Sequence, residues 1–377
     1  MSIPLLSIVI PTRNREVYCI EAISYILKND NPDFELVIQD NSDADIIEQY
    51  VNSITDNRLV YHRDSERLNS VINMDKAISL ASGEYVSMIG DDDCIMPNIF
   101  SVAKWMKKHN IDAVSTELMP LFVWNDIKPE INEKLYGSLT TYGSSLTYKR
   151  IDTQKELLRF IKSGCVDYLN YNLPKVYHGI VSSSVLNRIH EITGHYIGGL
   201  SPDLYLAIAT SLLIKEHYTL GFPITISGIC NKSTSYDTMK RLDIDKLENA
   251  PHFYKRGPYE WSEIVPRVYT NLTIWADSAI HALSEMGRND LVNNVDASRL
   301  RSVFCYRFRF LKSRFPELFH NISYMGILKY RLNYYLYRIK RYSRSLKWKL
   351  ASQMKYYPCV ESWQGVMELY KERIFFL

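Results

Sequence analysis

An α/β layered fold, a sheet with helices on both faces followed by a mostly helical, basic C-terminal region, is what this 377-residue sequence predicts. Two observations carry the prediction. The first 120 residues alternate short β-rich runs with amphipathic helical periods, the sequence form of a parallel sheet covered on both sides. The second is charge: from Arg299 to Pro358 fifteen Lys and Arg are set against a single acid, Glu317, so that stretch carries +14 and the remainder −11 of a net +3. Two regions so unlike in charge are expected to meet different partners.

LLSIVIP (5–11), FELVIQD (34–40), RLVYHR (58–63) and EYVSMIG (84–90) read as strands, and helical periods cover 16–28, 46–54, 70–81 and 97–110 before a strand in IDAVSTE. Residues 121–175 are rich in Tyr, Ser and Gly with little periodicity and read as acceptor-side loops. Periodicity returns in VYHGIVSSSVLNRI, GHYIGGLSPDLYLAIATSLLI and TLGFPITISGIC, a turn-rich region runs to about 258, and the rest reads as helical. In the tail, Leu336, Ile339, Leu346 and Leu350 fall within about 40° of Leu332 on a helical wheel, with tyrosines along the margins.

A hydrophobic fraction of 46% and a charged fraction of 23% belong to an ordinary globular protein and exclude wholesale disorder. The six cysteines are scattered without CxxC spacing and read as reduced thiols, neither a disulfide frame nor a zinc site. MSIPLLSIVIP has no basic n-region and is not expected to be a signal peptide, and LYLAIATSLLI (204–214) is short of the ~20 residues of a spanning helix. The expected location is cytoplasmic.

Three clusters sit where strands end, the place where open α/β sheets bind ligands: PTRNR after the first, DNSDAD after the second, and DDD (91–93) after the fourth. SMIGDDDCIMP holds no Lys or Arg, and adjacent carboxylates repel unless a positive group joins them. A divalent cation is the simplest such group. Taken alone, Asp40 is an Asx-turn, DDD a solvated loop, and Arg13 and Arg15 surface charges; joint placement at neighbouring strand ends favours a site.

SIVIPTRNR, FELVIQDNSDAD and ASGEYVSMIGDDDCIMPN, in this order, resemble the opening strand, nucleotide-binding aspartate loop and DXD region of glycosyltransferase family 2, inverting enzymes of the bacterial surface-polysaccharide type. The resemblance covers about the first 100 residues. It implies a GT-A fold, a Rossmann-like mixed sheet with helices on both faces. It also implies that Asp40 accepts from a uracil imide, that Pro11, Thr12, Arg13 and Asp91 contact the nucleotide, and that Asp92 and Asp93 hold Mn2+ or Mg2+. Asp92, five residues before Pro97, is the first choice. The family commonly has Asp where this chain has Gly90.

By the same resemblance a carboxylate beyond the DXD region removes the acceptor's proton. Asp203 in GGLSPDLYLAIA is the best match, with Gly198 and Gly199 letting an acceptor approach. Ser201, Pro202 and Asp203 also make an ordinary helix start, whose dipole would depress the carboxyl. His178 is a candidate acceptor contact, set against a structural histidine, and His252 a candidate to complete the metal sphere.

The expected division is a catalytic domain over 1–258, with a nucleotide-sugar half to 120 and an acceptor half from 121, and a helical basic region over 259–377. The implied partners are a nucleotide-sugar donor of the UDP class and a saccharide or polyprenyl-linked saccharide acceptor. Residues 299–358 suit an anionic membrane surface, the inner face of the plasma membrane, or a packing partner in the protein. The competing classes are a nucleotidyltransferase, which lacks a Gly-rich phosphate loop here, and a nucleic-acid binder using the basic tail, for which no motif is present; no nucleic acid partner is expected.

Overall fold

A computed structural model of the chain describes residues 3–127, 136–233, 247, 251–319, 323–350 and 354–374. The predicted alternation is present: β1 (Leu6–Thr12), α1 (Glu16–Leu27), β2 (Phe34–Asp40), α2 (Ile46–Asn52), β3 (Leu59–Arg63), α3 (Ser70–Ser79), β4 (Tyr85–Met88), β5 (Cys94–Ile95), α4 (Ile99–His109) and β6 (Ala113–Thr116). There follow β7 (Leu121–Val123), β8 (Ser138–Thr141), β9 (Tyr148–Arg150), α5 (Thr153–Ile161), β10 (Ile180–Ser182), α6 (Ser183–Thr193), α7 (Pro202–Leu213), β11 (His217–Leu220), β12 (Thr225–Ile229) and, near the C-terminus, β13 (Lys355–Pro358).

The main sheet runs β3-β2-β1-β4-β10-β6-β11-β9. Strands β3, β2, β1 and β4 are parallel, with Thr12 opposite Asp40. The wholly parallel sheet suggested by the alternation stops there. β10 is antiparallel to both β4 and β6, and β9 is antiparallel to β11, giving the mixed sheet implied by the resemblance. The reversal is local: three-residue β10 enters through His178, whose φ of 60° turns the chain back without a crossover helix.

Period-two burial explains the sheet's layering. Along β1 and β2, Ile8, Ile10, Leu36 and Ile38 face one core, and Val9 and Val37 face the other. The first core takes α1 and α4; the second takes α5, α6, α7 and the helix Asn271–Glu285.

The stretch 121–175, expected as loops, instead contributes β7, β8, β9 and α5. Its strands are three or four residues long, too short for alternation to register. Strand β9 closes the main sheet beside β11, while β7 and β8 join β5, β12 and β13 in a second sheet, β13-β8-β7-β12-β5. Strand β13 thus returns the C-terminal region to β8, and fully buried Trp363 packs on Phe122 and Trp124 with ring centroids at 4.9 and 5.7 Å.

The predicted tail helix spans Tyr324–Leu350. It packs through tyrosines: Tyr330 is buried, meets Tyr306, and accepts from Arg307 Nε at 2.5 Å. The opposite face carries Met325, Leu328, Leu332, Leu336 and Ile339, all exposed. The side chains of Leu346 and Leu350, expected on the same stripe, lie outside the described residues, as does much of the turn-rich region before 258. No helix among the described residues is long and apolar enough to cross a membrane, and all six cysteines are free.

Trp363→Ala should cost about 3–5 kcal/mol, the usual loss for a large buried aromatic. Urea denaturation followed by tryptophan fluorescence measures it; a loss under about 1 kcal/mol would mean the C-terminal segment is not part of the cooperative core.

Candidate active site

Because Thr12 pairs with Asp40, the loops after β1 and β2 leave the sheet side by side and are cross-linked. Asn14 N donates to Ser42 Oγ at 2.9 Å, Asn14 Nδ2 to Asp43 at 2.8 Å, and Asp43 N to Asn14 Oδ1 at 2.8 Å. Asn14 sits in the left-handed region at φ 55°, which Asn tolerates. Arg13 Nη2 pairs with Asp43 at 3.0 Å, beside Pro11 and Thr12. Asp40 is fully buried and makes the Asx-turn that its sequence allows: Oδ1 accepts from Ser42 N at 2.8 Å and Oδ2 from Tyr61 OH at 2.8 Å.

The three aspartates after β4 are buried, and each has a different environment. Asp91 accepts from Thr12 Oγ1 at 2.7 Å and from Arg15 Nη1 at 2.6 Å. Burial raises its carboxyl above the usual range, with Arg15 opposing. Asp92 meets Arg15 Nη1 at 3.2 Å through Oδ1, while its buried Oδ2 has no hydrogen-bond partner. Burial and then the neighbouring Asp93 push the Asp92 carboxyl up to about 7.

Asp93 is saturated. Its Oδ1 accepts from Gly228 N at 2.7 Å, and its Oδ2 accepts from Gly90 N at 2.7 Å and Tyr177 OH at 2.8 Å and lies 3.1 Å from His178 Nε2. Burial alone would raise this carboxyl, but His178 and the other donors hold it below the usual range. A cation ligand at Asp93, as the resemblance implied, would have to displace these partners. The positive group missing from SMIGDDDCIMP is therefore supplied by Arg15, 76 residues earlier in the chain than Asp91.

Close packing explains two glycines. A Cβ at Gly90 would lie 2.7 Å from Tyr177 Oη and 2.9 Å from Asp93 Oδ2, so this loop has no room for the family's usual Asp. A Cβ at Gly228 in β12 would overlap the Asp92 carbonyl oxygen, which also accepts from Trp124 Nε1 at 3.1 Å. Tyr177, Trp124 and Gly228 were not among the residues singled out from the sequence. An isolated Gly inside the TISGI strand was the available signal of close backbone approach.

Asp203 is the second residue of α7, after Ser201 at the cap position and Pro202. His178, Lys175 and Asp93 are near enough to act on its charge. Burial raises its carboxyl, opposed by His178 and Lys175. Lys175 is lowered by burial, with Asp203 opposing. His178, expected at the acceptor, is held internally, with Nδ1 3.0 Å from Thr225 Oγ1 and Nε2 on Asp93.

Gly198 and Gly199 serve packing rather than open access: side chains there would meet Glu285 with His195, and Ser278. Ser278 Oγ accepts from Leu200 N at 3.0 Å and Ser201 N at 2.8 Å, fixing the start of α7. His252, a candidate for a metal sphere, instead lies against Tyr269 at 3.3 Å, and burial lowers it to about 4, which keeps it neutral. Among the described residues no three His, Cys, Asp or Glu side chains form a ready metal cage. A cation shared with a diphosphate needs only one or two protein carboxylates, and the unpartnered Oδ2 of Asp92 fits that requirement.

Residues 7–160 match the sequence profile of glycosyl transferase family 2. A protein provisionally assigned as the colanic acid biosynthesis glycosyl transferase WcaA of Escherichia coli K12 is 37% identical over 101 residues, 26% of this chain and 36% of that protein. The GalNAc(5)-diNAcBac-PP-undecaprenol beta-1,3-glucosyltransferase of Campylobacter jejuni is 30% identical over 110 residues, 28% of this chain and 35% of its own. The chain thus spans about a third of the length of these relatives. The crystal structure of Staphylococcus aureus TarS 1–349 with UDP-GlcNAc superposes with a TM-score of 0.43 at 16% identity, covering 82% of this chain and 72% of that one.

Gly228→Ala should destabilise the protein by roughly 1–3 kcal/mol or more through overpacking. Thermal unfolding checks this, and an unchanged melting temperature would show that β12 and the aspartate loop are not in backbone contact.

Proposed function

We propose that this chain, which belongs to glycosyl transferase family 2 through residues 7–160, is a metal-dependent inverting glycosyltransferase. It moves a sugar from a nucleoside-diphosphate donor, of the UDP class, to a saccharide or polyprenyl-linked saccharide in cell-surface polysaccharide synthesis. The observation that carries this reading is the buried aspartate cluster at the end of β4 with one Asp92 oxygen unpartnered, together with Asp203 at the start of α7, whose carboxyl feels His178 and Asp93. An inverting transfer needs this pair of functions side by side: leaving-group stabilisation, and a base for the acceptor hydroxyl.

In this reading Pro11, Thr12, Arg13 and Asp40 line the nucleotide side, and Thr12 orients Asp91. Asp92, through its free oxygen, and Asp91 would hold Mn2+ or Mg2+. When bound, the cation supplies charge neutralisation for the departing diphosphate. Asp93 keeps the loop in shape. Asp203 takes the acceptor proton, and its raised carboxyl makes it a stronger base than an exposed aspartate.

In this reading the acceptor lies at a membrane surface, and the tail supports that. The exposed stripe Met325, Leu328, Leu332, Leu336 and Ile339 lies opposite the packed tyrosine face, with exposed Lys329, Arg331 and Arg338 on the same helix. An apolar stripe with basic neighbours matches the surface of an anionic bilayer, where each basic residue adds about 1 kcal/mol. The family relative whose name includes a diphospho-undecaprenol acceptor is consistent with this reading.

Release of UDP from a UDP-sugar should require Mn2+ or Mg2+ and stop with EDTA; turnover surviving rigorous chelation would overturn metal dependence. Asp203→Asn should retain UDP-induced thermal stabilisation and lose transfer by about 100-fold or more. In the wild type, kcat should fall as pH drops through the raised Asp203 value, because protonation removes the base; an Asp203→Asn enzyme with wild-type kcat would remove this residue from the mechanism. Sedimentation with phosphatidylglycerol vesicles should capture the wild-type chain and release the Leu332→Glu, Leu336→Glu variant. Equal capture by uncharged phosphatidylcholine vesicles, or none by either, would end the membrane assignment.

A further inference from the structure

Arg15 is not a surface charge. Its guanidinium reaches Asp91 Oδ1 at 2.6 Å, Asp92 Oδ1 at 3.2 Å and the Lys232 carbonyl oxygen at 2.5 Å, with its side chain only 19% exposed. We propose that Arg15 is the resident counter-ion of the aspartate cluster. It competes with the divalent cation for Asp91 and Asp92, and transfers to the donor's diphosphate when cation and nucleotide arrive together. The inference rests on the proposed transferase reading for its second half, the transfer to diphosphate.

The physical argument is one of exclusion. A guanidinium is charged at every working pH, so it cannot leave by losing a proton and must be displaced. A cation on Asp92 Oδ2 would sit on the carboxylate whose other oxygen already contacts Arg15. Two positive groups on one buried carboxylate repel strongly, because little water is present to screen them. Displaced without a new partner, the guanidinium would lose both ion pairs. A diphosphate supplies that partner, since its oxygens match the planar fork of arginine. The other cations of these loops are already placed elsewhere: Arg13 pairs with Asp43, and Lys232 Nζ donates to the Asn14 carbonyl at 2.7 Å.

Metal and nucleotide should therefore bind with positive coupling, each weak alone. Mn2+ binding to the full chain is read from the electron paramagnetic resonance of free Mn2+, with and without UDP. Arg15→Gln should bind Mn2+ without nucleotide about tenfold or more tighter than wild type, and UDP should tighten Mn2+ far less in the variant. Arg15→Lys keeps the charge and should leave nucleotide-free Mn2+ binding weak. Arg188→Gln, which removes an exposed charge paired with Glu191 at 2.8 Å, should change nothing. If Arg15→Gln folds poorly, a Mn2+-dependent rise in its melting temperature larger than that of wild type supports the proposal, and an equal or smaller rise counts against it.

Mn2+ affinity in Arg15→Gln no higher than in wild type, or an equal gain in Arg188→Gln, overturns competition. A wild-type chain indifferent to UDP at saturating Mn2+ would sink the transferase reading and the second half of the proposal with it. The nucleotide-free comparison still decides the first half.

Discussion

The carboxylate of Asp93, buried and surrounded by Gly90 N, Tyr177 OH, His178 and Gly228 N, constrains most of what lies around it. A buried charge that lost its partners would carry a desolvation penalty of several kcal/mol. Its partners come from the loop after β4, the segment entering β10, and β12. Each of these is bent or trimmed to reach it: His178 adopts a left-handed backbone, and neither Gly90 nor Gly228 has space for a side chain. The antiparallel insertion of β10 is the topological counterpart of this requirement, because it delivers Tyr177 and His178 to the end of β4.

With Asp93 committed to structure, the other two aspartates are free to differ. Thr12 and Arg15 hold Asp91, while Asp92 keeps one oxygen unpartnered in a place with little water. Three adjacent residues of the same type thus acquire three electrostatic characters, set by burial and partners rather than by the side chain itself. If the site takes a cation and a diphosphate as proposed, one carboxylate keeps the geometry while the others exchange partners.

The C-terminal region faces two ways. Ser278, on the helix Asn271–Glu285, fixes the backbone just before Asp203, and Trp363 closes the core on the other side of the sheet. Further along, the helix Tyr324–Leu350 turns Tyr330 and Tyr334 inward and its aliphatic stripe outward. The apolar stripe visible in the sequence is therefore not the surface that holds this helix to the protein. An edge-on contact of Tyr330 with Tyr306, and Arg307, do that instead.

Apart from two-residue β5, the strands and helices up to Thr116 were legible because the apolar runs and helical periods that contain them are long enough to read, and the strand-end clusters followed from their positions. Asp40's Asx-turn and the helix start at Pro202 were also local enough to read. The short strands between 121 and 150 were not, since three or four residues cannot display alternation. Nor could Asp93's saturation, Arg15's place among the aspartates or the burial that raises Asp203 be read. Local order is encoded within a few residues of itself. The partner of a buried charge is decided by what the closed fold brings within 3 Å of it, and for Asp93 one such partner, Gly228, lies 135 residues away in the chain.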